Sequence, residues 1–555
     1  VSHKLPQNEE NTGKEDRKNY LLQRQAEYQY AYEYADTIAV VRKLPWREIP
    51  GVGYWLRGGM NLLRLIPSLP SLSITFLRYL LGKPMESYRD YVFFPASPPN
   101  PDLVDSFQQD LIFGLQRVIG VNPVILRAVT RQNPLPGKLP EPEIRQVFEE
   151  QIDEIDYMAA TEQKRIYVLD YAVLDVLQSN PGYIDGGQKQ YVTTPIVVLF
   201  LQPDGMLRPI AIQLYQDDRP DNPIYTSKDG NLWLTAKMFA QVADGNHHIL
   251  YTHATRIHYV MEAIIMASRR QLYKSHPLYV LLNPHLQHTL NVNHQHTFLK
   301  DRKGRPGRYG ELFAGDYDSM TQCMANGMTS FNFKESAFPD DIAKREVDNP
   351  DLFYPYRDDG ILLWNAIRGF SKEYVDLYYK SEADVTDDHE IQAWAHDISA
   401  RDRGRIPGFP ASFESRQELS DTLGHIIFLC TAFHSCIHFN QYKYPGFVPN
   451  MPHSAYAPPP VGKNAEIDAA AGLLKFQPAF RAAYSQTWTY FLTNFRVNSL
   501  GQYNLKQFDS EAHEVIERFG DRLEEIEEEI DQRNSRRSFA YDRMNPRFIP
   551  NGVTI

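Results

Sequence analysis

Cysteine is nearly missing from this chain: three residues in 555, Cys323, Cys430 and Cys436. Three thiols cannot build a disulfide framework, so a reducing compartment is the simpler setting. A basic excess is missing too. The formal net charge of −11 argues against a nucleic-acid partner held through phosphate contacts. No apolar run reaches the length of a membrane-spanning helix, and no repeat of fixed period shows. Nor do short period-two strands follow one another as a β-barrel requires. The glycine-bearing stretch KDRKGRPGRYGELFAGDYDS has no leading strand and no GK[ST] after it, so it reads as a surface loop rather than a phosphate cradle. His513-Glu514 lacks the second histidine of a zinc-protease helix. The remaining composition, 43% hydrophobic and 23% charged, is that of a globular chain with a large core.

What is plentiful is histidine on apolar, helix-forming sequence. The stretch from Trp233 to His288 is helical in character and is stopped only by Pro277 and Pro284. It carries His247, His248, His253 and His258, with Glu262 after the last. On a regular α-helix of about 3.6 residues per turn, His248 and His253 are rotated by roughly 140° and face different ways. A π-type turn, bonded i to i+5, would bring both to one face. The bland alternative is a set of core histidines satisfied by their neighbours. A second cluster tilts the balance: in HIIFLCTAFHSCIHFNQYKYPGF, His434 and His438 have the spacing of two ligands on one helix face. Buried imidazoles without partners are costly, and one shared ion would satisfy both pairs. Nitrogen donors of this kind suit a first-row transition metal better than Mg²⁺ or Ca²⁺.

Taken together these residues resemble the lipoxygenases, non-haem iron dioxygenases of polyunsaturated fatty acids. The pattern H-x4-H-x4-H-x3-E is matched by His248, His253, His258 and Glu262, and HPLYVLLNPHLQHTLNVN resembles the family's continuation. Asp359-Gly360 with LLWNAIRGFSKEYVDLYY resembles the helix that arches over the substrate channel. His434-x3-His438 with Phe439, Asn440 and Gln441 resembles the second ligand helix, and FIPNGVTI, ending in Ile555, the C-terminus. The likeness runs from Asp105 to Ile555.

The resemblance implies a mainly α fold: a large helical catalytic domain over 105–555, with a small β-hairpin or sheet subdomain. It implies one iron per chain, manganese being less favoured, held by His248, His253, His434, His438 and the carboxylate of Ile555. Five protein ligands exceed the four usual for zinc. Gln441 is expected to link the ligand helix to the cavity, His258 and Glu262 to be structural, and His247 to have no role. The implied reaction is dioxygenation of linoleate-, linolenate- or arachidonate-class fatty acids with O2. A ferric hydroxide would take hydrogen from a cis,cis-1,4-pentadiene, giving a hydroperoxide. Alternatives are a hydroperoxide isomerase or epoxyalcohol synthase on the same scaffold, or a non-catalytic lipid-binding protein. A second metal site at His285, His288, His294 and His296 is disfavoured because no carboxylate accompanies it.

Residues 1–104 stand apart as an N-terminal helical extension. Residues 1–17 are polar and expected to be disordered, and LLQRQAEYQYAYEYADTIAVVRK reads as a helix. Tyr54–Gly82 is apolar but interrupted by Arg57, Arg64 and Arg78. Packing on the main domain accounts for most of it, with some membrane contact expected. The family's N-terminal β-barrel is not evident. The expected chain is a cytoplasmic monomer or weak dimer, peripheral to membranes, without nucleic acid. The clearest β signal is TPIVVLFLQPDGMLRPIAIQLYQ, two β-branched runs about a Pro203-Asp204-Gly205 turn.

Overall fold

The computed structural model describes residues 3–177, 187–217, 221–296, 310–467 and 472–555. The first ten residues of the KDRKGRPGRYG loop and the side chain of His296 lie outside these. The chain opens with helix α1 (Asn11–Glu27), then an antiparallel hairpin of β1 (Tyr30–Ala35) and β2 (Ile38–Val41). Helices α2 (Val52–Leu63) and α3 (Leu69–Leu80) follow. Two expectations are corrected here. The helix expected over 21–43 ends at Glu27, because tyrosines at every second position and then Ile38, Val40 and Val41 favour paired strands over Ala and Glu helicity. Residues 3–17 are ordered because their polar groups find buried partners. Arg17 Nε donates to Glu390 Oε1 at 2.7 Å, and His3 Nε2 donates to the Gln507 carbonyl at 2.7 Å.

Five strands form one antiparallel meander: β3 (Arg127–Ala128), β4 (Ile166–Asp170), β5 (Ile196–Leu201), β6 (Leu207–Gln213) and β7 (Ile224–Tyr225). The β5–β6 hairpin turns where the sequence placed it, with Gly205 at φ +79°. Both faces of β5 are buried, which explains its unbroken β-branched run. Helix α4 (Asp110–Ile119) lies so close to β6 that a Cβ on Gly114 would stand 1.9 Å from the Leu207 carbonyl oxygen.

Two long buried helices organise the rest. The first is continuous from α5 (Asn231–Asn246) through a π-helical segment (His247–Tyr259) into α6 (Val260–Gln271). Around it come α7 (Thr289–His296), α8 (Tyr317–Thr329) and α9 (Pro355–Tyr378). The second runs from α10 (Arg416–Phe428) through another π segment (Leu429–Phe433) into α11 (His434–His438). Helices α12 (Phe480–Leu492) and α13 (Ser510–Arg536) complete the body. The expectation of a mainly α chain with a small sheet is met.

Two segments are long and apolar enough to cross a membrane by length and composition. Arg416–Lys443 is largely buried and is the second core helix. Trp46–Leu80 is mostly exposed, which corrects the expectation that most of it packs on the main domain, and Pro67 and Pro70 divide it. Each half is a helix of 12 residues, roughly 18 Å at about 1.5 Å per residue and short of a bilayer core of about 30 Å.

Candidate metal centre

The π-helical segment is what makes the histidine spacing chemical. Its i to i+5 register stacks positions 248, 253 and 258 along one face. Thr255 Oγ1 donates to the Leu250 carbonyl at 2.7 Å, satisfying a backbone acceptor within the wide turns. The second helix brings His434 against that face. His253 Nε2 lies 3.2 Å from His434 Nε2 and 3.1 Å from His258 Nε2. The donor nitrogens of His253, His258 and His434 all lie within 4.8 Å of one another, and all three residues are buried.

Burial holds the His253 and His434 imidazoles well below the usual histidine range, and neighbouring imidazoles push them further down. Neutral rings present lone pairs. Two neutral Nε2 atoms that face each other can share at most one proton, and His434 Nδ1 is buried without a hydrogen bond. A cation among the three would satisfy lone pairs that water cannot reach, so the donor set fits a metal.

His258, expected to be structural, joins His253 and His434 in that triplet. His248 stands beside it, its ring stacked on His253 at 5.3 Å, and both of its buried ring nitrogens lack a hydrogen-bond partner. Such orphaned nitrogens fit a metal donor as well as that of His434 does, so the expected pair His248 and His253 keeps its place.

His258 is also oriented from behind. With its Nδ1 proton donated to Asn293 Oδ1 at 2.8 Å, its Nε2 lone pair is left toward the cluster. Asn293 Nδ2 donates to Glu262 Oε2 at 2.8 Å and to the His258 carbonyl at 2.9 Å. Glu262 Oε1 accepts from the Val41 N–H at 2.7 Å. Desolvation pushes the Glu262 carboxyl up to about 7, its two hydrogen bonds opposing. Asn293 had carried no weight in the sequence, since nothing in LNVN sets it apart from Asn291.

The other expected residues surround the same cavity. His438 lies with its ring centroid 5.0 Å from that of His434 and donates from Nε2 to the Thr493 carbonyl at 3.0 Å. Gln441 contacts His253 Nδ1 at 3.2 Å through its side-chain amide. Ile555 lines the cavity with His253, His258, His438 and Gln441. His247 sits apart, contacting Asn122 at 3.0 Å. His285 bonds the Asn551 carbonyl at 2.6 Å and Tyr503 at 2.8 Å, so it is a saturated core histidine.

The cavity is about 70 Å³, too small for an extended acyl chain. Ile249, Leu250, Phe313, Met320 and Met324 make its apolar walls. The helix over it is α8, which corrects the expected arch. Helix α9 packs instead against α10 and α13, where Asp359 takes Arg533 at 2.9 Å and Arg537 at 2.7 Å. A turn of small and thioether side chains such as MTQCMANGM can line a cavity. The aromatic and charged faces of α9 are committed to packing.

Fold and site define a mainly helical protein with a buried histidine cluster able to hold a metal. The sequence profile of the lipoxygenase family matches residues 94–552. The chain is 32% identical over 513 residues to the allene oxide synthase-lipoxygenase protein of Plexaura homomalla, covering 85% of this chain and 46% of that one. It is 30% identical over 476 residues to polyunsaturated fatty acid lipoxygenase ALOX15B of Rattus norvegicus, covering 83% and 68%. Among solved structures, a lipoxygenase variant crystallised anaerobically with arachidonate superposes with TM-score 0.89 at 29% identity, over all of this chain and 84% of that one. The chain therefore belongs to the lipoxygenase family. It spans less than half the length of the Plexaura homomalla protein and about two thirds of the Rattus norvegicus one.

Proposed function

We propose that this chain dioxygenates polyunsaturated fatty acids at a cis,cis-1,4-pentadiene, with O2 as co-substrate and a fatty-acid hydroperoxide as product. The observation that carries the reading is the convergence of three buried imidazoles on a largely apolar cavity. The substrate class is supported by the name of the rat relative and by the arachidonate bound to the structural neighbour. His248, His253, His434 and His438 with the Ile555 carboxylate would hold the metal, and His258, which converges with His253 and His434, flanks the same centre. Nitrogen donors with one carboxylate favour iron, with manganese second. Such a metal, when bound, supplies the one-electron chemistry that removes a hydrogen from the bis-allylic carbon.

The chain's own residues do the rest. Leu250, Phe313 and Ile249 exclude water from the reacting carbon. Met320 and Met324 are unbranched and adaptable, so they are the wall that yields when an acyl chain enters. Gln441 fixes the His253 ring from the cavity side.

Delivery of that substrate involves the extension. Among the described residues, most of the exposed large apolar side chains lie between Trp46 and Leu81, including Trp55, Leu56, Ile74, Leu77 and Leu80. No Asp or Glu occurs between Glu48 and Glu86, while Arg57, Arg64, Arg78 and Lys83 do. In a chain of net charge −11 this is a local basic and apolar face, suited to the interface of an anionic lipid surface. Three buried free cysteines fit a reducing cytoplasmic setting, with membrane contact peripheral.

The test is the rise of conjugated-diene absorbance when iron-loaded protein meets linoleate in air, and its loss in His434→Ala. Consumption of a fatty-acid hydroperoxide under nitrogen, without diene formation from linoleate, would move the assignment to hydroperoxide isomerisation.

A further inference from the structure

The family profile begins at residue 94, yet two hydrogen bonds from the segment before it reach groups one step from the metal cavity. The first is the Val41 N–H on β2, which donates to Glu262 Oε1 at 2.7 Å. Glu262 accepts from Asn293, and Asn293 accepts the Nδ1 proton of His258. The second is the Tyr54 hydroxyl on α2, which donates to the Thr554 carbonyl at 3.1 Å. Thr554 precedes Ile555 in the cavity wall.

The C-terminal tail is held at successive carbonyls. His285 Nδ1 donates to that of Asn551 at 2.6 Å, Thr289 Oγ1 to that of Val553 at 2.8 Å, and Tyr54 to that of Thr554. The tie nearest Ile555 thus comes from a residue that precedes the profile match. Tyr54 is itself fixed, its ring 4.9 Å from His288 and 5.7 Å from Phe495. Asn61, later on α2, donates to the Phe491 carbonyl on α12 at 2.7 Å, so the helix cannot drift from that wall.

We propose that the N-terminal extension is a clamp for the metal centre, with Val41 and Tyr54 as positioning residues. Val41 fixes Glu262 and through Asn293 the orientation of His258. Tyr54 fixes the tail that carries Ile555 into the cavity. Val41 acts on a ring of the histidine cluster and Tyr54 on the tail that carries Ile555, and neither acts on substrate. The clamp rests on the metal reading above and adds to it where the outer support comes from. Because α2 also carries part of the exposed apolar face, the segment that would meet lipid is the one that ties down the tail.

The experiment uses the full chain in four forms: parent, Tyr54→Phe, Val41→Pro and the control Val41→Ala. Tyr54→Phe keeps the ring packing and removes only the hydroxyl. Val41→Pro removes the N–H that Glu262 accepts, and Val41→Ala keeps it. Each form is loaded with ferrous iron under nitrogen, and metal release to a chelator is followed together with the melting temperature of the metal-free protein. The clamp predicts release about 10-fold faster in Tyr54→Phe and in Val41→Pro, near-parental release in Val41→Ala, and metal-free melting of Tyr54→Phe close to the parent's. Equal release from the parent and Tyr54→Phe, or equal release from Val41→Pro and Val41→Ala, overturns it. A parent that retains no iron overturns the metal reading itself and the clamp with it.

Discussion

His253 Nε2 stands 3.2 Å from His434 Nε2 across 181 residues of sequence, each ring carried at or beside a π-helical segment of its own core helix. The contact defines the centre, because everything else in the cavity is arranged around these facing lone pairs. His258 joins them from one side, and His438, Gln441 and Ile555 line the other walls.

Metal content separates the two candidate sets. His248→Ala and His434→Ala should lose most of the bound metal, and His258→Ala should keep more of it. Elemental analysis of purified protein checks this, and a metal-replete His248→Ala beside a metal-free His258→Ala would place the ion in the converging triplet instead.

Asn293 joins a buried carboxylate to a buried imidazole. Asn293→Leu strands the hydrogen-bonding groups of Glu262 and His258, at a cost of about 1–3 kcal/mol for each unsatisfied partner. Denaturant unfolding should show a lower midpoint with an unchanged slope, and metal affinity should fall by about 10-fold.

His425 is a buried histidine remote from the converging triplet, its ring 4.3 Å from that of Phe333. Burial lowers its pKa from 6.5 to about 3. The folded state therefore favours the neutral ring. The stability it contributes is present above pH 6.5 and is lost as pH falls from there toward 3. Melting temperature against pH should fall less steeply on the acid side in His425→Phe than in the parent. An unchanged acid slope would assign the acid sensitivity to other buried groups.

Met324 lies on α8 over the cavity. Met324→Phe stiffens the wall that must yield to an acyl chain and should lower kcat/KM for linoleate several-fold while leaving metal content alone. Steady-state kinetics with parallel metal analysis decides this, and a parental kcat/KM would place the acyl chain along another wall.

The exposed side chains of α2 and α3 should govern lipid contact. Trp55 is 54% exposed and Leu77 55%, so Trp55→Glu with Leu77→Glu should reduce flotation with anionic vesicles without lowering the melting temperature. Undiminished flotation would send the lipid contact elsewhere on the surface.

The sequence alone determined the helical class, the hairpin at Pro203-Asp204-Gly205 and the two histidine-bearing helices, because periodicity, turn chemistry and imidazole spacing are local properties. It also announced the need for a π-type turn, since residues five apart meet on one face only in that register. It misplaced the 28–41 region, where Ala and Glu helicity competed with tyrosine alternation, and the order of residues 3–17, where partners such as Glu390 and Gln507 lie hundreds of residues away. It did not show that His258 converges with His253 and His434, because equal spacing along one helix cannot say which ring a second helix will meet. The tertiary structure likewise decided that α8 rather than α9 covers the cavity. It alone tied Val41 and Tyr54 to the centre, because a backbone N–H and a single hydroxyl acquire partners only through packing.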